Sequence, residues 1–101
     1  MSYLIITEYG ENSREVLSEP ATNVQRVETG FVSAPLRRDT TVVVLFATDL
    51  CNVSFFHDDS WRDGMDLPDA MHSWPMPENA QVIRGARGGA RIAVYPQDWN
   101  F

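Results

Sequence analysis

Hydrophobic and polar residues along this chain either alternate with a period of two or form short apolar runs between turn residues. Both patterns are typical of strands, and no segment has the period of an amphipathic helix. Thr40 to Phe46 is an unbroken run of β-branched and apolar side chains, which predicts a buried strand. Cys51 to Phe56 alternates, and we expect Cys51, Val53 and Phe55 to share its buried face.

Four residues, Ala47 to Leu50, connect these two strands, which is a suitable length for a hairpin, and Asp49 is a common turn residue. We therefore expect two adjacent antiparallel strands at the centre of the fold. Further strands are predicted at Tyr3–Tyr9, Val24–Glu28, Ala80–Gly85 and Ala90–Tyr95, with Gly, Pro and Asp residues between them. Phe31 to Ser33 continues the extended chain after a bend or bulge at Gly30.

Residues 57–79 differ from the rest of the chain, with five aspartates, three prolines and both histidines. This segment also contains too many Trp and Met side chains for a disordered linker. Two interpretations stay open: the loop folds back over its own domain, or it docks on a neighbouring subunit. The whole pattern predicts one all-β domain over residues 1–101, a small jelly-roll-like antiparallel sandwich or barrel with this loop and a tail at 96–101.

The charge balance is acidic, with a formal net charge of −6 over 101 residues. Nucleic acids and anionic membranes need a basic surface, so neither is expected as a partner. All eight basic residues are arginine, the basic residue that is enriched in protein interfaces. This usage indicates subunit contacts, and biased codon usage is an equally good explanation.

No set of residues predicts catalysis or a cofactor. The weak candidates for a cation site are Asp59, Asp63 and Asp66, because carboxylates on a loop can hold Ca²⁺. Trp61 stands where the EF-hand pattern that starts at Asp59 requires Asp or Asn, so solvated carboxylates and no metal site are the prediction. His57 has no zinc-ligand set nearby, and Cys51 is expected to be a buried, inert thiol. We therefore predict that the protein is not an enzyme.

The C-terminal two thirds carry a recognisable order of segments. Ala47-Thr48-Asp49 ends the valine-rich strand and Cys51-Asn52-Val53-Ser54-Phe55 follows it. After the loop come Met76-Pro77-Glu78-Asn79-Ala80 and Gly88 to Tyr95. This order resembles small all-β structural proteins encoded among the virion genes of tailed bacteriophages. Here the loop is longer and more aromatic, and "MPEN" stands where those proteins have an "LPA"-like turn.

The resemblance implies a virion structural protein, such as a capsid decoration, cement or head–tail component, that is assembled in the host cytoplasm. Its implied partners are copies of itself and other virion proteins, among them the major capsid protein. Apolar anchors and arginines that pair with neighbouring carboxylates would form the contacts: Trp61, Met71, Trp74, Met76, Trp99, Phe101, Arg37, Arg38 and Arg87. The alternative is a small ligand- or metal-binding β-barrel that uses the Asp-rich loop 58–69.

Overall fold

Strands make up the regular structure of this computed structural model, which describes residues 2–10, 23–57, 60–62, 64–68 and 73–96. In chain order they are β1 (Tyr3–Gly10), β2 (Asn23–Glu28), β3 (Thr40–Ala47), β4 (Cys51–Phe56), β5 (Trp74–Met76), β6 (Gln81–Gly85) and β7 (Arg91–Pro96). These ranges contain no helix, and hence none long and apolar enough to cross a membrane. The predicted all-β class is confirmed.

The strands form two antiparallel sheets that pack against each other. One sheet has the order β2-β1-β3-β6 and the other has the order β5-β4-β7. The predicted sandwich is therefore confirmed, with four strands in one layer and three in the other.

The predicted central hairpin is wrong, because β3 and β4 belong to different sheets. Within its own sheet, β3 pairs with β1 and β6, whereas β4 pairs with β5 and β7. The connection Thr48–Leu50 thus crosses from one layer to the other. A hydrogen bond from the Tyr3 backbone N–H to Thr48 Oγ1, 2.9 Å long, fixes the first residue of this connection. A connection of three or four residues suits an inter-sheet crossing as well as a hairpin, so length and turn chemistry could not separate the two.

The core lies between the sheets and consists of alternate residues of the central strands. Leu4 and Ile6 of β1 and Val43 and Leu45 of β3 face the second sheet and have no exposed surface. The second sheet contributes Cys51, Val53, Ile92 and Val94. Burial of each large aliphatic side chain stabilises the fold by about 1.5–3 kcal/mol. The predicted inward face of β4 is confirmed, with Phe55 packed at the margin of this core.

A turn at Gly30 moves the chain from the first sheet to the second. Gly30 has a φ of +97°, a conformation that glycine adopts without strain. The chain after it runs along β7: the Ser33 N–H donates to the Ile92 carbonyl at 2.9 Å, and the Leu36 N–H donates to the Ala90 carbonyl at 2.8 Å. The predicted bend at Gly30 and the extended segment after it are both confirmed, and this segment covers the outer edge of β7.

Candidate interaction surface

The described part of the 57–79 loop contacts its own domain. Trp61 is only 6% exposed and lies edge-to-face against Phe56, with ring centroids 6.1 Å apart. The guanidinium carbon of Arg91 lies 5.0 Å from the Trp61 ring centroid, and the Tyr95 hydroxyl donates to the Pro68 carbonyl at 2.6 Å. Of the two interpretations left open, the structure therefore favours folding back for residues 60–62 and 64–68. The same loop region contains β5, a strand that the sequence pattern did not predict.

Two of the predicted interface anchors are buried within the chain. Trp61 is enclosed as described above, and Met76 of β5 has no exposed surface and belongs to the core. Both side chains are therefore packed mainly against their own chain. Met71, Trp99 and Phe101 lie outside the described residues.

Trp74 is the predicted anchor that is half-buried at the edge of the sandwich. Its ring lies 6.4 Å from the ring of Phe55, centroid to centroid, and the Arg84 guanidinium carbon is 4.6 Å from the Trp74 centroid. These three side chains line an open cavity of about 360 Å³. Ile83 of β6 is 55% exposed, and because side chains alternate along a strand, it lies on the other face of the sheet from Arg84. We call Phe55, Trp74 and Arg84 the edge patch.

The edge patch lies where one edge of each sheet comes together. Trp74 is on β5, the edge of the three-stranded sheet, and Arg84 is on β6, the edge of the four-stranded sheet. Aromatic residues and arginine are the types most enriched at the energetic centres of protein interfaces. Arg84 and Ile83 were not among the predicted interface residues, although the exposed pattern of β6 follows from its position at a sheet edge.

The three predicted interface arginines come together at one end of the sandwich. Arg37 and Arg38 are on the turn before β3, Arg87 is on the turn after β6, and all three are exposed. The two turns lie against each other: a Cβ on Gly88 would collide with the Arg38 carbonyl and lie 2.9 Å from the Arg37 carbonyl oxygen. Arg37 Nε is 3.7 Å from Asp39 Oδ1, an exposed pair of small energetic value. The two turns thus bring the three arginines to the same end of the sandwich, with Asp39 beside them.

Glu8 is a buried carboxylate that the sequence analysis missed. It accepts hydrogen bonds from Asn23 Nδ2 at 2.6 Å, from Thr40 Oγ1 at 2.8 Å and from the Arg37 backbone N–H at 2.8 Å, with Gln25 Nε2 at 3.2 Å. Burial raises the pKa of the Glu8 carboxyl, but these hydrogen bonds outweigh it and hold the pKa below its ordinary value. Glu8 therefore ties β1 and β2 to the turn before β3, which is a structural role.

The alternation of side chains along β1 is the sequence feature that indicates the burial of Glu8. Leu4, Ile6 and Glu8 are two residues apart, so a strand that buries Leu4 and Ile6 also turns Glu8 toward the interior. A buried carboxylate requires donors, and the polar side chains of β2 supply them.

The residues weighed for chemistry are not brought together as a group of metal ligands in the described ranges. Cys51 is buried, as predicted, and burial together with the nearby charge of Asp49 raises the pKa of its thiol to about 11. No group of three or more His, Cys, Asp or Glu side chains that could hold a metal occurs among the described residues. Asp66 is exposed there, whereas Asp59 and Asp63 lie outside them.

The chain matches no family model, and neither a curated protein nor a solved structure is similar to it at a significant level.

Proposed function

We propose that this chain is a non-enzymatic structural protein of a tailed-bacteriophage virion, a capsid decoration or cement protein that acts through subunit contacts. The observation that carries the proposal is the edge patch, in which Phe55 and Trp74 lie beside each other and Arg84 lies over the Trp74 ring. Partly exposed aromatic side chains beside an arginine are typical of a contact with another protein chain.

The resemblance to small virion proteins supports the same function. Its segments lie in the core strands of the sandwich: the valine-rich strand is β3, and Cys51 to Phe55 and Ile92 to Val94 belong to β4 and β7. These residues serve packing, as expected for a protein whose task is mechanical rather than catalytic. The buried thiol of Cys51 and the hydrogen-bonded carboxylate of Glu8 are likewise enclosed in the fold.

The functional test compares particles of the phage or prophage that encodes this chain with particles that lack its gene. We expect particles without the protein to release their DNA at a lower temperature, and purified protein added back to restore the wild-type temperature. The matched control is the Trp74→Ser/Arg84→Ser variant, which removes two members of the edge patch and should fail to restore it. Equal release temperatures with and without the gene would contradict a cement function.

A further inference from the structure

The outer side of β6 carries backbone groups that face away from the sheet. The Ala86 N–H donates to the Thr41 carbonyl at 2.8 Å, and in an antiparallel ladder the bonded residues alternate along each strand. Val82 and Arg84 therefore point their backbone groups toward β3, whereas Ile83 points its N–H and C=O away from it. In the described part of the chain, β6 has no strand on this side.

The other sheet edges carry features that discourage strand pairing. β5 contains Pro75, which lacks an N–H, and β7 is covered by the segment that contains Ser33. β2 carries two exposed or half-exposed charges, Arg26 and Glu28. Proline, charges and covering segments are the usual means by which proteins protect sheet edges. In β6 the only charge is Arg84, whose guanidinium lies over Trp74.

We propose that β6 pairs antiparallel with β6 of a second copy of this chain, with the two-fold axis at Ile83. This inference rests on the proposed function, which requires subunit contacts, and it names the strand that makes one of them. The outward N–H and C=O of each Ile83 bond to those of the other copy. The pairing joins the two four-stranded sheets into one continuous sheet.

The sequence of β6 fits this self-pairing. With Ile83 opposite Ile83, each copy covers the apolar side chain that the other leaves 55% exposed. The register sets Arg84 opposite Val82, so that like charges are not directly opposed. The strand is thus complementary to itself, because its exposed apolar residue lies on the axis and its one charge lies opposite an apolar residue. This self-complementarity favours a second copy as the occupant of this edge.

The chain offers a matched pair of variants. Ile83→Pro deletes an N–H that points away from β3, so it removes an intersubunit hydrogen bond and leaves the β3–β6 bonds intact. Val24 on β2 is 59% exposed at the opposite edge of the same sheet. Its N–H also points outward, because the neighbouring ladder bond runs from the Thr29 N–H to the Ser2 carbonyl. Val24→Pro is therefore the control for the strain that proline itself introduces.

The test is the solution mass by sedimentation equilibrium at equal protein concentrations. We expect the wild type and Val24→Pro to have twice the chain mass of 11.4 kDa. Ile83→Pro should have half the wild-type mass, with a melting temperature close to that of Val24→Pro. If Ile83→Pro fails to fold, Ile83→Asp serves instead, because it places two carboxylates opposite each other on the two-fold axis. We expect this variant to stay folded as a monomer and its dimer dissociation constant to rise at least tenfold.

A monomeric wild type would overturn this pairing, and the edge would then be open to a strand of a different protein. A folded Ile83→Pro or Ile83→Asp variant that keeps the wild-type mass would overturn it as well, because the contact would lie elsewhere. Failure of the proposed function would give a different combination of results. The wild type would be a dimer that Ile83→Pro dissociates, but DNA release from particles would not depend on the gene. That combination would support the pairing and contradict the virion function.

Discussion

The guanidinium of Arg84 lies over the indole ring of Trp74, with Cζ 4.6 Å from the ring centroid. This contact joins the two sheets at their shared margin, because Trp74 belongs to β5 and Arg84 belongs to β6. It also holds the charge of Arg84 over the Trp74 ring. The geometry of the edge patch therefore depends on this pair.

A double-mutant cycle should detect this contact. We expect Arg84→Ala and Trp74→Ala to be coupled by about 0.5–1 kcal/mol in the free energy of unfolding, the value of an exposed cation–π pair. Denaturant unfolding of both single variants and the double variant measures the coupling. Arg26→Ala combined with Trp74→Ala is the control, since Arg26 lies over Tyr3 instead and its effect should add to that of Trp74. A coupling of zero for the Arg84 cycle would mean that the contact does not form in solution.

Gly88 should be intolerant of any side chain, because its backbone lies against those of Arg37 and Arg38. Gly88→Ala should lower the free energy of unfolding by about 2 kcal/mol or more, since the two turns must separate to admit a methyl group. The control is Gly85→Ala, where a Cβ would have no atom within 4 Å. Equal stabilities of the two variants would show that the turns are not in contact.

Glu8 should make the stability depend on pH in the acid range. Its pKa in the folded state is lower than its ordinary value of 4.5, so the unfolded chain takes up the proton first as pH falls. The stabilisation from this carboxylate is therefore complete above about pH 5 and decreases as pH falls through the folded-state pKa.

The Glu8→Gln variant should lose this part of the pH dependence and about 1–3 kcal/mol of stability at pH 7, because its amide group faces donors. Urea unfolding at a series of pH values from 7 to 3 measures both effects. Glu78→Gln, at an exposed position, should change neither. A Glu8→Gln variant with the wild-type pH profile would show that Glu8 does not carry the effect.

Trp61 tests whether the aromatic loop belongs to its own domain. Because this side chain is buried against Phe56 and Arg91, Trp61→Ala should cost about 3–5 kcal/mol of stability. Thermal and urea unfolding, followed by circular dichroism, are the measurements. Met65→Ala is the control in the same loop, because Met65 is 51% exposed and should matter little. A stable Trp61→Ala variant with altered association would instead indicate an intermolecular role for the loop.

Strand positions and their inward faces could be predicted from the sequence because they follow from local periodicity. The apolar run at Thr40 to Phe46 and the alternation at Cys51, Val53 and Phe55 both correspond to strands of the core. The pairing of those strands could not be predicted in the same way, since the connection after Ala47 suits a hairpin and an inter-sheet crossing equally.

The candidate surface was only partly predictable for a related reason. The sequence of a long loop does not show which of its aromatic side chains are buried and which are exposed. Trp61 is buried and Trp74 is half-buried, because only Trp74 lies on a strand at the edge of a sheet. Ile83 is exposed because β6 is an outermost strand, and strand order is set by contacts far apart in the chain. The burial of Glu8 was missed, although it could be predicted from the alternation of buried residues along β1, in which Leu4 and Ile6 precede it.

The central claim is that this chain is a virion protein, and its most direct test is the number of copies of the chain in gradient-purified phage particles produced by cells that carry its gene. Quantitative mass spectrometry against the major capsid protein supplies that number. A structural protein that acts through subunit contacts is expected at a fixed ratio to the capsid protein, unchanged by further purification or by EDTA. Absence of the chain from particles, with the protein present in the lysate, would contradict the virion function.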